Sequence, residues 1–78
     1  MHEITLTEHR DPESGLRRWT LSGAHAPGPD TVIRSRREAT PHIHRMKRLA
    51  RMQDYATDIR LTVTPIEGEV EVFEDRLA

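Results

Sequence analysis

The chain has 78 residues, a formal net charge of -1 and no cysteine. That makes one domain at most, excludes a disulfide framework and leaves no metal-finger spacing. A chain this short buries a small fraction of its surface, so without such staples a homodimer is expected.

"EITLTEH" opens the chain with strict alternation, Ile4 and Leu6 on one face and Thr5 and Thr7 on the other, the period of a half-buried strand. "RDPESG" then supplies a turn, with Pro12 suited to an early turn position and Gly15 to positive φ. The chain reverses into "LRRWTLSGAH", a second strand with Trp19 and Leu21 on one face. In "APGPD" two prolines flank Gly28 and neither can donate a ladder hydrogen bond, which predicts a loop. "TVI" is a candidate short strand.

Ser35 and Glu38 stand at capping-box spacing, while Pro41 after Thr40 is equally suited to a first helical position. The helix therefore starts at Ser35 or at Thr40. Ala39, Ile43, Met46, Leu49, Ala50 and Gln53 define its apolar stripe, with Met52 and Ala56 at the margin and an end near Tyr55. "DIRLTVTP" resumes alternation, Ile59, Leu61 and Val63 inward, and is expected to be a central strand. After the turn "IEGE", "EVEVFED" sets Val70 and Val72 against Glu69, Glu71 and Glu74, which predicts a last strand with an acidic outer face. The order β-β-(β)-α-β-β predicts an α+β domain over residues 1–78: a mainly antiparallel sheet of three to five strands with one amphipathic helix on one face. Trp19, Leu21, Ile43, Met46, Ala50, Leu61 and Val63 are the expected core, and at least two of the three aromatics are wanted there.

No apolar run approaches the roughly 18 residues of a membrane span, and "MHEITLTEHR" lacks the layout of a signal peptide, so a cytoplasmic location is expected. Only Lys47 among the 12 basic residues is not Arg, which fits the codon bias of a GC-rich genome. Arg enrichment by itself therefore says little about phosphate binding.

Charge is unevenly placed. Between Arg34 and Arg51 seven basic residues face one acid, whereas from Asp54 to Ala78 seven acids face two bases. Such polarity steers a partner of either sign, or joins the helix to an acidic strand of a neighbouring subunit. On the helix Arg45, Lys47, Arg48 and Arg51 lie off the apolar stripe, and at three- and four-residue spacing they can touch successive phosphates. A helix-turn-helix needs a second helix, however, and an RNA-recognition sheet needs exposed aromatics. The solvated or partner-facing helix surface is the stronger expectation, and Arg45, Lys47, Arg48 and Arg51, with Glu69 and Glu71 on the last strand, are the candidate binding residues.

Of the five histidines, His42 and His44 project about 200° apart on a helix. His2 and His9 have opposite parity on a strand, and no acidic ligand sits at a recognised interval. No metal or other cofactor is expected. Ser14, Ser22 and Ser35 fall at turns or caps and there is no glycine-rich phosphate loop, so no enzyme is expected either.

The order of "GLRRWTLSGAHAPGPDTVIRSRREATPHIHRM", a strand beginning at a glycine, a glycine-containing loop and an Arg-x-Glu-Ala helix start, resembles the HicB-type antitoxin domain, a truncated RNase H-like sheet. Gly28, Thr31, Glu38 and Ala39 occupy comparable places, and the likeness covers roughly residues 3 to 64. The family's Pro-Asp-Leu-Pro-Gly loop is absent, the Thr-to-Glu interval is longer, and no DNA-binding segment follows. The resemblance implies a non-catalytic protein-binding module, often dimeric, with a small basic toxin as partner. The expected function is thus a small cytoplasmic interaction module, antitoxin-like or an accessory protein of a phage or mobile element. The alternative is a dimeric nucleic-acid-binding regulator presenting helix residues 35–52 to phosphates.

Overall fold

The computed structural model describes residues 1–76. Its strands are β1 (His2–Arg10), β2 (Arg17–Ser22), β3 (Asp58–Thr64) and β4 (Glu71–Arg76), with one helix, α1 (Arg36–Gln53), between β2 and β3. The strand order is β2-β1-β3-β4. The outer pairings are antiparallel, while the helical crossover brings β3 back parallel to β1, so the central pair is β1 and β3.

The alternation works as expected on three strands. Leu6 stands between Leu21 and Val63, and Ile4 beside Leu61. Ile4, Leu6, Trp19, Leu21, Ile59 and Val63 are buried beneath Ala39, Ile43, Met46 and Ala50 of the helix. Leu61 is only half-buried, because it lies at the opening between α1 and β4, whereas Ile59 and Val63 on the same face of β3 are buried. Trp19 is the one buried aromatic among the described residues; Tyr55 and Phe73 are exposed. The opposite face of the sheet is polar, with Thr5, Thr7, Thr20, Thr62 and Thr64 side by side in the register.

Local chemistry fixes the ends. In the β1–β2 turn the Asp11 carboxylate accepts the Glu13 amide at 2.9 Å, and Gly15 takes the required positive φ of 72°. Ser35 is the helix N-cap: its hydroxyl accepts the Glu38 amide at 3.2 Å, while the Glu38 carboxylate accepts the Arg34 amide at 2.9 Å. Two amides outside the helix bonding pattern are thereby satisfied, which settles the start at Ser35 over Thr40. Pro41 is tolerated inside the helix because it lies on the exposed side, where the Arg37 carbonyl it cannot satisfy meets water. At the other end Asp54 and Ala56 both return their amides to the Ala50 carbonyl at 3.0 Å. Tyr55 takes a left-handed φ of 54° to allow this.

"TVI" forms no strand; Ile33 makes a single bridge to Trp19, with the Trp19 amide donating to the Ile33 carbonyl at 2.9 Å. The loop carrying it is pressed onto β1 at Gly23, where φ is 127° and a Cβ would stand 2.5 Å from the Glu3 carbonyl oxygen. Only glycine fits there.

Candidate interaction groove between the helix and the last strand

The last strand departs from the alternation expected of it. That pattern sets Val70 and Val72 inward and the acids outward, yet Val70 and Val72 are exposed and Glu71 and Asp75 point to the helix side. The cause is the cationic flank of α1. Arg36, Lys47 and Arg51 fall on the same side of the helix, and they draw the two carboxylates under them: Arg36 reaches Glu71 at 2.8 Å, Arg51 reaches Asp75 at 2.8 Å and Lys47 reaches it at 3.5 Å. The Arg51 hydrogen bond, reinforced by both positive charges, holds the Asp75 carboxyl below its ordinary range. With Glu71 and Asp75 on that side, the alternation of β4 turns Phe73 toward the helix and Val72 away.

Because α1 is displaced toward β1 and β2, a groove of about 540 Å³ opens between it and β3–β4. Leu61, Val63 and Phe73 form the floor, Ile43 the helix wall, and Arg36, Arg37, Thr40 and Lys47 the rim. A second hollow of about 400 Å³ shares Lys47 and extends past Arg48 and Arg51 to the exposed Met52. The Nε of Arg51 is buried with no hydrogen-bond partner among the described residues, a spare donor in the wall of this extension. On the same face of the sheet as Leu6, at the end of β1, the Glu8 side chain, only 9% exposed, accepts the Ile66 amide at 3.0 Å and fixes the β3–β4 turn to β1.

The candidate residues thus separate into three groups. Lys47 and Arg51 hold Asp75, and Glu71 holds Arg36, so these three candidates belong to the groove's own framework. Arg45 and Arg48 are exposed and, like Arg37, have no ion-pair partner among the described residues, so they are available to something else. Glu69 is exposed in the connection before β4 and joins neither group. The positive helix therefore neutralises its own chain's acidic strand, where a neighbouring subunit's strand was one of the expectations.

At the far end of the helix, His2 and His25 both reach the same Asp54 oxygen, at 3.3 and 2.7 Å. The His25 hydrogen bond, with help from His2, lowers the Asp54 carboxyl. Sequence spacing could not signal this clasp, since its members are up to 52 residues apart. Among the described residues no three His, Asp or Glu side chains are arranged to hold a metal ion. None of the described helices is long and apolar enough to cross a membrane.

No family model matches this α+β chain, and no curated protein or solved structure matches it either.

Proposed function

We propose that the chain is a small non-catalytic protein-interaction module whose working surface is the α1–β4 groove. The observation that carries this is the unfilled apolar floor, Leu61 and Phe73, beside the unpaired cations Arg37 and Arg48. An apolar floor takes up apolar side chains, while Arg guanidinium groups on the rim favour carboxylates. The occupant that suits both is a protein segment combining apolar and acidic residues. An antitoxin-like role draws support from the element order alone: a hairpin, a glycine-containing loop, a helix and a strand returning beside the first. The strand β4 beyond that point is additional to the expected pattern.

Nucleic-acid binding is the second reading, favoured by Arg37, Arg45 and Arg48 on the outer surface of α1. Against it, Arg36, Lys47 and Arg51 are committed to Glu71 and Asp75.

Selection from a displayed peptide library tests the proposal, with Phe73→Asp as the counter-target. The expected result is enrichment of segments mixing apolar and acidic residues that bind the wild type and not the variant. Failure to enrich such segments, together with affinity for random duplex DNA that falls steeply with salt, would overturn it in favour of phosphate contacts.

A further inference from the structure

The two edges of the sheet are unequal. Along β2, the Trp19–Ile33 bridge and the proline-containing loop beside it occupy the outer side. Along β4 nothing does so among the described residues: every strand pairing of β4 is to β3, and no backbone hydrogen bond reaches its other edge. Exposed edges are ordinarily protected by proline, a bulge or free charge. The segment 71–76 has no proline, and its charges are drawn away from the edge. Glu71 goes to Arg36 at 2.8 Å, Asp75 to Arg51 at 2.8 Å, Glu74 to Arg60 at 3.2 Å and Arg76 to Asp58 at 3.8 Å. What remains at the edge is apolar, with Val72 54% and Phe73 47% exposed.

We infer that β4 pairs antiparallel with β4 of a second copy, with Phe73 on the two-fold axis. This rests on the interaction-module reading and adds a surface to it. Side chains facing each other across an antiparallel pair share a face, so three registers keep the strands in step, centred on Val72, Phe73 or Glu74. Centring on Glu74 sets Phe73 against Asp75 of the second copy, an apolar side chain against a charge. Centring on Val72 leaves Glu74, Asp75 and Arg76 without a partner strand. Centring on Phe73 sets Phe73 against itself and Glu71 against Asp75 of the second copy. Both carboxylates in that last juxtaposition already meet cations of their own copy, Arg36 at Glu71 and Lys47 with Arg51 at Asp75, so it is tolerated.

The resulting sheet has eight strands with both helices on the same face, displaced outward. The two grooves then lie end to end in one trough, with Phe73 of each copy at its centre. A six-residue edge is about 20 Å long, small beside a standard interface, so a weak dimer with a dissociation constant of about 1 to 100 μM is expected.

Single cysteines test the pairing cleanly, since the chain has none of its own. Facing Cα atoms in such a pair stand about 4.5 to 5.5 Å apart, inside the disulfide range, whereas residues one step from the axis stand about 8 Å from their own copies. Under mild oxidation Phe73→Cys is expected to cross-link readily, and Val72→Cys, Glu74→Cys and the exposed control Leu16→Cys at least tenfold more slowly. Sedimentation of the unmodified protein provides a readout independent of any substitution, with mass rising from 9.0 kDa toward twice that as concentration increases. A mass constant at 9.0 kDa up to several hundred micromolar, or cross-linking at Val72 or Glu74 in preference to Phe73, would overturn the inference. The peptide selection is unaffected by either outcome, because each copy carries a complete α1–β4 groove of its own.

Discussion

The β1–β2 half of the sheet and the β3–β4 half are built from equally alternating sequences, yet they end up in opposite conditions. Over β1 and β2 the helix lies directly on Ile4, Leu6, Trp19 and Leu21, and the Ile33 bridge closes the outer edge. Over β4 and the neighbouring Leu61 the helix offers cations where the rest of the sheet receives Ile43, Met46 and Ala50, so the strand beneath presents acids and the apolar floor beside it stays open. Burial across β1, β2 and the Ile59 and Val63 positions of β3 supplies the stability. The last strand, β4, is held by its ladder to β3 and by ion pairs, which contribute little each at a surface but fix geometry.

The widest separation of the halves is in core truncation. Leu6→Ala, at a side chain 1% exposed, is expected to cost about 2 to 5 kcal/mol, enough to unfold much of so small a domain. Leu61→Ala, on the open floor, is expected to cost roughly half as much because part of that side chain already meets water. Urea denaturation of the two variants measures the difference, and equal losses would mean that the groove is closed in solution.

Gly23→Ala probes the closed edge. With φ at 127° and the Glu3 carbonyl oxygen 2.5 Å from where the added methyl group would stand, there is no room, so a loss of about 1 to 3 kcal/mol is expected by thermal unfolding. Gly28→Ala, in the same loop with open space around it, is the matched control and is expected to be close to neutral.

Acid acts on the ion-paired β4, on the clasp at the helix end and on the β1–β2 turn, where the Glu13 amide lowers the Asp11 carboxyl. The Asp75 carboxyl is lowered by Arg51 and Lys47, and that of Asp54 by His25 and His2. A carboxyl with a depressed folded-state pKa stabilises above its unfolded value, and that contribution disappears as pH falls through the folded value. The unfolding midpoint is therefore expected to decline between about pH 5 and pH 2, and Asp75→Asn should flatten the decline. An unchanged acid limb in Asp75→Asn would remove β4 from the explanation.

The smallest effect separates the cations themselves. Arg45→Gln with Arg48→Gln is expected to change stability by about 0.5 kcal/mol or less, as exposed substitutions do. Lys47→Gln with Arg51→Gln releases Asp75 and is expected to lower the thermal midpoint further and reduce its sensitivity to salt.

Much of this contrast was legible in the sequence, and the illegible parts share one cause. Alternation in "EITLTEH" and "DIRLTVTP" placed Ile4, Leu6, Ile59 and Val63 inward, because for strands under an apolar helix face the period of 2 is the burial signal. Ser35 and Glu38 marked the helix start by local chemistry, although Pro41 pulled the boundary toward Thr40. The same alternation rule misassigned β4, since Val70 and Val72 satisfy it as well as Phe73 does, and the choice is made by Arg36, Lys47 and Arg51 from another element. The His2–Asp54–His25 clasp gave no sign for the same reason: tertiary contacts make it. Of the candidate residues, the charge run drew attention to the right helix but could not tell Arg45 and Arg48 from Lys47 and Arg51.

Amide hydrogen exchange across a protein dilution series tests the central claim, that β4 is the open edge of a molecule closed at β2. In dilute protein the β1 and β2 amides, Trp19 included, are expected to exchange slowly and those facing outward on β4 quickly, with β4 gaining protection as concentration rises. Slow exchange along β4 at every concentration, or concentration-dependent protection on β2 in its place, would contradict the account.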